Sequence, residues 1–202
     1  MTKYELPKDR ILITTDYMRK KYGSYDPNIF RRWVDQGKVE KVRNGVYRLA
    51  DTIIESDWDR YVIANALQYP SYISLHSALY FYNLIPEYVF NVTSVSTKKT
   101  QEYTFRGTHY TFQQLKPSLY FGYQVFSWKG NQFRIALLEK AILDFAYLEP
   151  LFIDPGWLEE MRFDEDVLQE EVDWGILESF AGKMNSPTIF RKIDALRSTY
   201  SL

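Results

Sequence analysis

Residues 26–49, DPNIFRRWVDQGKVEKVRNGVYRL, decide the fold of the first part of the chain, because they read as a short helix followed by a basic hairpin. Asp26 followed by Pro27 is typical of a helix start, since aspartate caps free backbone N–H groups and proline fits the first helical turn. Gly37 is typical of the position just after a helix. The sequence therefore predicts a helix over residues 28–36. Its apolar positions fall within one arc at about 100° per residue and are Ile29, Phe30, Trp33 and Val34.

Two short alternating segments follow this helix, Lys38–Val42 and Val46–Leu49. They are joined at Asn44-Gly45, the dipeptide that best tolerates the positive φ angles of a type I′ turn. The pattern therefore predicts two antiparallel strands connected by a tight turn.

A second short helix is predicted before residue 26. Thr14 or Thr15 can cap it, and Gly23 can end it. Two helices in succession followed by a hairpin are typical of a winged helix-turn-helix, in which the second helix enters the major groove of DNA. We therefore predict a winged helix-turn-helix domain over residues 1–50.

Positive charge is concentrated in this part of the chain. Residues 1–48 hold 12 Lys/Arg and 6 Asp/Glu, a net charge of +6, whereas the other 154 residues hold 13 and 20, a net charge of −7. Parts of opposite sign indicate a polyanionic partner for the basic one, although an ordinary solvated surface is the alternative. The outward helix face fits base edges or phosphates, and the hairpin fits the DNA backbone. The predicted DNA-binding residues are Asn28, Arg31, Arg32, Lys38, Lys41, Arg43, Asn44 and Arg48.

Residues 51–202 are predicted to form a second, larger α+β domain, an antiparallel sheet with packed helices. The predicted strands are bounded by turn residues and are Phe90–Ser96, Gln101–Phe105, Thr108–Gln113, Tyr123–Trp128 and Gln132–Ala136. The predicted helices begin or end at capping residues and run from Ser56 to about Tyr69, from Ser74 to near Pro86, over Leu137–Leu148, over Trp174–Ala181 and from Ser186-Pro187 onward.

Composition narrows the class of protein. The 202 residues are 46% hydrophobic and 25% charged, which is typical of a folded protein. No apolar run approaches the roughly 18 residues of a membrane span, and the polar start lacks a signal-peptide core, so no membrane partner is expected. The chain has no cysteine, which excludes disulfides and thiolate metal sites and fits a cytoplasmic location.

Catalytic patterns are weak in this sequence. His76 and His109 are separated by a predicted helix and strands and lack metal-ligand spacing. Glu139, Lys140 and Asp144 carry the side chains of a magnesium nuclease, but Lys140 and Asp144 also form an ordinary i, i+4 pair on the predicted exposed face of their helix. There is no glycine-rich phosphate loop. We expect no catalytic residue, no metal and no cofactor, and predict that the protein is not an enzyme.

Three segments occur in a characteristic order over about three quarters of the chain. They are Gly37-Lys38-Val39 leading to Asn44-Gly45-Val46-Tyr47-Arg48-Leu49, then YISLHSAL at 72–79 with Pro86 downstream, then LEKAILD at 138–144. In these segments the sequence resembles the AbiEi antitoxins of type IV toxin–antitoxin systems, which are bacterial phage-resistance modules. The resemblance implies a winged domain that binds an inverted-repeat operator and represses its own operon. It also implies that residues 51–202 counteract a nucleotidyltransferase-like toxin without forming a stable complex with it.

Other interpretations stay open at this point. The alternatives are a protein-interaction module and a winged-helix regulator without antitoxin activity. Its 17 tyrosines, 13 phenylalanines and 5 tryptophans suit either core packing or stacking on single-stranded bases, and their alternating strand positions favour the core. Residues 154–178 carry ten carboxylates interrupted by apolar residues, which indicates a folded segment with a solvated acidic face.

Overall fold

A computed structural model describes residues 4–202, which form two units of mixed helix and strand. The first unit takes in the chain up to Tyr69 together with residues 126–133, and the second holds residues 70–125 and 134–202. The predicted α+β class is confirmed. The predicted boundary after residue 50 lies inside the first unit. None of the helices in the described part of the chain is long and apolar enough to cross a membrane.

From residue 4 onward, the first unit contains three helices and a small sheet. The helices are α1 (Thr15–Tyr22), α2 (Asn28–Asp35) and α3 (Asp57–Leu67), and the strands are β1 (Leu12–Thr14), β2 (Val39–Arg43) and β3 (Val46–Leu49). The strands pair antiparallel in the order β1-β3-β2. Both predicted helices before residue 37 and both predicted hairpin strands are therefore present.

Local capping explains where α1 begins and ends. Thr14 is the residue that caps it, since its Oγ1 accepts a hydrogen bond from the backbone N–H of Tyr17 at 3.0 Å. Gly23 follows the helix with φ +67°, a left-handed value that glycine adopts at little cost.

The core of the first unit is built around the inner face of α2. Ile29, Phe30 and Trp33 are buried as predicted, and the ring of Phe30 stacks on Tyr47 with centroids 4.2 Å apart. Val34 was expected on the same face but is 39% exposed, so that part of the prediction is wrong. At 100° per residue Val34 lies at the margin of the apolar arc, and the short helix turns it to solvent. The buried cluster around α2 consists of Ile13, Met18, Ile29, Phe30, Trp33, Val39 and Leu49.

The hairpin turn differs from the predicted type I′. Of Asn44 and Gly45, only Gly45 has a positive φ, +78°, whereas a type I′ turn needs positive values at both. The pairing shifts between Lys41 and Arg43, so β2 contains a bulge that a regular two-residue hairpin would lack. The turn is fixed against α1, because the Gly45 carbonyl accepts a hydrogen bond from the N–H of Thr15 at 3.0 Å.

Helix α3 and residues 126–133 belong to the same unit because they share contacts. Ser56 and Asp59 form a capping box at the start of α3, where the sequence predicted a helix to begin. The fully buried Asp59 carboxylate also accepts a hydrogen bond from Trp128 Nε1 at 2.8 Å and lies 2.9 Å from Lys129 Nζ. The ring of Trp58 packs on Phe126 and Phe133, with centroids 5.2 and 5.3 Å apart. These contacts join α3 and residues 126–133 within the first unit.

Asp59 is expected to make the first unit sensitive to acid. Burial raises the pKa of Asp59, but its donors Lys129 and Trp128 and the neighbouring backbone N–H groups lower the pKa more, so the net shift is downward. A carboxyl with a lowered folded-state pKa stabilises the fold above its unfolded pKa, and this contribution is lost as the pH falls through the folded value. Asp59→Asn should therefore cost about 1–3 kcal/mol at neutral pH. In urea unfolding followed by tryptophan fluorescence, the variant should also lose less stability than wild type below about pH 4. Equal pH dependence of the two proteins would contradict this assignment.

The second unit is organised on a six-stranded sheet. Its strands are β4 (Ser71–Ile73), β5 (Val92–Ser96), β6 (Gln101–Phe105), β7 (Thr108–Gln114), β8 (Tyr123–Trp128) and β9 (Asn131–Ala136). The spatial order is β6-β7-β5-β4-β9-β8, and residues 126–133 at the end of the β8–β9 hairpin group with the first unit.

The sheet is mixed, so the prediction of an antiparallel sheet is wrong. Strand β5 pairs parallel with β7, and β4 pairs parallel with β9. Strand β4 lies between β5 and β9 in the sheet and was not among the predicted strands. Tyr110 and Phe112 of β7 are buried, as the alternating pattern predicted.

Five helices and two short 3₁₀ turns complete the second unit. The helices are α4 (His76–Phe81), α5 (Leu138–Leu148), α6 (Pro155–Glu160), α7 (Trp174–Met184) and α8 (Pro187–Thr199), the 3₁₀ turns are Pro117–Leu119 and Pro150–Ile153, and a π-helical turn covers Val167–Glu171. The acidic stretch is folded, and Asp154 and Asp173 cap α6 and α7. Helix α7 runs past its predicted end at Ala181 to Met184, and Asn185, with φ +49°, follows it as the C-cap.

Helix α5 is buried nearly all round, which overturns the prediction that Glu139, Lys140 and Asp144 face solvent. Lys140 and Asp144 are 0% exposed and form an ion pair. Lys140 Nζ donates to the Tyr72 hydroxyl at 2.9 Å, and that hydroxyl donates to Asp144 Oδ2 at 2.8 Å. Ser74 was expected to cap α4, but its hydroxyl donates to the same oxygen at 2.9 Å. A closed polar network therefore lies inside this unit.

Burial dominates the electrostatics of this network. It raises the pKa of Asp144, although the ammonium of Lys140 and the hydroxyls of Tyr72 and Ser74 oppose the shift. Burial, reinforced by the charge of Asp144, also raises the pKa of Tyr72 well above its usual value. Because every member finds a partner of suitable chemistry, the network satisfies its polar atoms internally.

Candidate nucleic-acid interface

The outer face of α2 carries three of the predicted DNA-binding residues together. Asn28, Arg31 and Arg32 are all exposed, and at 100° per residue their positions span an arc of about 100°. The opposite face is fixed in the core by large aromatic and aliphatic side chains. The helix therefore presents one amide and two guanidinium groups on a rigidly held support.

The start of α2 is organised by Asp26. One carboxylate oxygen of Asp26 accepts a hydrogen bond from the backbone N–H of Asn28 at 3.0 Å, and the other accepts one from Arg32 Nη2 at 2.7 Å. The helix itself begins at Asn28, and Pro27 precedes it in helical conformation. Asp26 was predicted as the N-cap, but Pro27 occupies that position without a side-chain cap, and Asp26 bonds to the N–H of Asn28 from one residue further back.

Four predicted residues lie on the hairpin and are exposed: Lys38, Lys41, Arg43 and Asn44. Lys41 lies two residues after the buried Val39, on the same face of β2, but it is exposed. Arg43 is turned toward α3, because its Nε donates a hydrogen bond to the carbonyl of Ala66. The hairpin therefore adds three cations to the surface of this unit.

Arg48 does not belong to this surface, and the prediction that it contacts DNA is corrected. Arg48 is 3% exposed, its Nε lies 3.2 Å from Glu40 Oε2, and its other nitrogens donate to the carbonyls of Ala50 and Thr52. A regular two-residue hairpin would place Lys41 opposite Arg48, but the bulge places Glu40 there. This shift of register supplies the counter-charge, and the sequence pattern carried no sign of it.

Three further exposed cations of the first unit were not among the predicted DNA-binding residues. Arg19, Lys20 and Lys21 are exposed in the last turn of α1. Cations are favoured there by the helix dipole, which accounts for them without any ligand. Contact with the Tyr17 hydroxyl raises the pKa of Lys21, and its ammonium lies 5.7 Å from the centre of the Tyr17 ring. The excess of basic residues in 1–48 was the signal that could have included them.

Both histidines contact neighbouring side chains of the fold. His76 packs edge-on against Phe145, with ring centroids 4.7 Å apart, and burial lowers its pKa. His109 Nδ1 lies 3.1 Å from the hydroxyl of Thr104 on the neighbouring strand. Over residues 4–202, no three His, Asp or Glu side chains are grouped so that they could hold a metal ion.

Two neighbouring clefts open beside the hairpin of the first unit, with volumes of 370 and 460 Å³. Lys8, Asp51 and Thr52 line both. Because charges of both signs line these clefts, neither has the uniform electrostatic character that would select an anion or a cation.

No protein-family model matches the chain, and no curated protein matches it either.

Proposed function

We propose that the first unit is a winged helix-turn-helix that binds double-stranded DNA. In this proposal α2 is the recognition helix and the β2–β3 hairpin is the wing. The outer face of α2 carries the argument, since Asn28, Arg31 and Arg32 share it while the inner face is anchored in the core. A helix of this width fits the major groove of B-DNA.

The exposed side chains divide into two roles. Asn28, Arg31 and Arg32 have the donor groups that read adenine or guanine edges in the major groove. Lys38, Lys41 and Arg43 on the hairpin suit phosphates, which position a protein without reading sequence. Arg48 supports the hairpin from inside and takes no part in contacts to DNA.

We further propose that the protein is the antitoxin and autorepressor of a type IV toxin–antitoxin operon and acts in the cytoplasm without being an enzyme. The support is the resemblance of the three segments to AbiEi antitoxins together with the basic first unit. Its partners would be operator DNA and a nucleotidyltransferase-like toxin, the latter without a stable complex.

DNA binding is tested by fluorescence anisotropy with the DNA fragment immediately upstream of the gene. The variant Arg31→Ala, Arg32→Ala, Lys41→Ala, Arg43→Ala should lose at least about a hundredfold in affinity. For wild type, log K should fall with log salt at a slope of about −3 to −5, which corresponds to three to six phosphate contacts.

A matched control removes four exposed cations from the second unit: Lys98→Ala, Lys99→Ala, Lys116→Ala and Arg191→Ala. The control has the same change in net charge and should retain most of the affinity and the salt slope. An unaltered affinity in the first variant would exclude α2 and the hairpin as the DNA-binding surface, and would favour the alternative of a protein-interaction module.

The antitoxin role is tested separately in cells that express the toxin encoded alongside. If neutralisation belongs to the second unit, the full chain with the four α2 and hairpin substitutions should still restore growth. Failure of the wild-type chain to protect the cells would leave a winged-helix regulator without antitoxin activity.

A further inference from the structure

The carboxylate of Asp26 accepts two hydrogen bonds, one from the backbone at the start of α2 and one from an arginine side chain. Its Oδ1 satisfies the backbone N–H of Asn28, while its Oδ2 holds the guanidinium of Arg32 at 2.7 Å. Asn28 and Arg32 both lie on the outer face of α2. One carboxylate therefore ties the start of the helix to an arginine one turn further along that face.

The position of Asp26 is itself fixed. Its backbone N–H donates to the hydroxyl of Tyr4 at 3.2 Å, and its carbonyl accepts from the N–H of Ile29 at 3.0 Å. The ring of Tyr4 packs edge-on against Tyr22, with centroids 5.2 Å apart. The carboxylate is thus a fixed point against which Arg32 is held.

The geometry leaves Arg32 available for a ligand. A guanidinium has five N–H donors in a planar fork, and the single short contact with Asp26 engages one nitrogen. The side chains of Arg32 and Asp26 are 54% and 44% exposed, so solvent and ligands reach the pair. An arginine restrained in this way loses less rotamer freedom when it binds, and its remaining donors match the O6 and N7 acceptors of guanine.

The negative charge of Asp26 affects the affinity for DNA and the preference between DNA sequences in different ways. A carboxylate beside the DNA-facing helix repels every phosphate in the same way, so it weakens binding to any DNA sequence. It is useful on this surface if it improves the choice between sequences. We infer that Asp26 is a positioning residue that orients Arg32 to read a guanine, and that this pair sets the sequence preference of the recognition helix. The inference rests on the proposed DNA-binding function.

The variant Asp26→Asn tests this inference. The amide keeps an acceptor for the N–H of Asn28 but loses the charge that holds Arg32. Anisotropy is measured with the upstream fragment and with an unrelated duplex of equal length and base composition. The ratio of the two affinities should fall about tenfold, while binding to the unrelated duplex stays equal or becomes tighter. Unchanged thermal unfolding of the variant would show that the helix start is intact.

Two controls distinguish orientation from simple charge removal. Asp35→Asn removes the same charge from an exposed carboxylate on the same outer face of α2, so it should tighten binding to both duplexes by the same factor and leave the affinity ratio unchanged. Arg32→Ala should lower the ratio, and adding Asp26→Asn to Arg32→Ala should lower it no further, because the two residues act as one unit.

The outcomes are separable. A preserved ratio in Asp26→Asn, with both duplexes bound more tightly by the same factor, would overturn the inference and leave DNA binding by α2 intact. If the wild-type protein binds the upstream fragment no more tightly than the unrelated duplex, both the inference and the proposed repressor function are overturned.

Discussion

Replacement of Lys140 by methionine is expected to lower the free energy of unfolding by about 3–5 kcal/mol. The change leaves the carboxylate of Asp144, which is 0% exposed, inside the second unit without its counter-charge. It also removes a donor from the hydroxyl of Tyr72. Urea unfolding followed by circular dichroism measures the loss.

Two further variants make this prediction specific. Lys98→Met removes an exposed lysine of the same unit and should change stability by no more than about 0.5 kcal/mol. The double variant Lys140→Met, Asp144→Leu should be more stable than Lys140→Met alone, since it also removes the unpaired charge. Wild-type stability in the single variant would show that the buried ion pair contributes nothing.

Trp33→Ala is expected to have a comparable effect on the first unit, with a loss of about 3–5 kcal/mol. Trp33 is 2% exposed and packs edge-on against Phe30, with ring centroids 5.6 Å apart. Its removal opens a cavity under α2, so the outer face of that helix loses its support and DNA binding should weaken in parallel.

Val34→Ala provides the matched control on the same helix. Val34 is next in sequence but 39% exposed, so its truncation should cost less than about 0.5 kcal/mol. Equal losses in the two variants would mean that α2 is not anchored through Trp33.

Sequence patterns predicted local structure well in the first unit, because the deciding interactions are short in range. The cap at Thr14, the stop at Gly23 and the capping box of Ser56 with Asp59 each depend on residues within one helical turn. The buried face of α2 followed from spacing alone, apart from Val34 at its margin.

The wrong predictions have a different cause, because each of them concerns a residue whose surroundings are set by residues far away in the fold or by a change of strand register. Lys140 looks exposed beside Asp144 until the sheet and neighbouring helices cover α5 on every side. Ser74 looks like a helix cap, but its hydroxyl reaches an oxygen 70 residues away. Arg48 looks like a DNA contact until a one-residue bulge brings Glu40 opposite it. Of the eight predicted DNA-binding residues, the structure exposes all but Arg48.

The first unit is assembled from two stretches of chain that are separated by more than fifty residues. Asp59 and Trp58 can contact Trp128, Phe126 and Phe133 only after the chain between them has been synthesised. No single cut can therefore release this unit whole. A gene fusion that carries only residues up to 69 would leave Asp59 without the indole of Trp128, so a transplanted first unit has to include residues 126–133 as well.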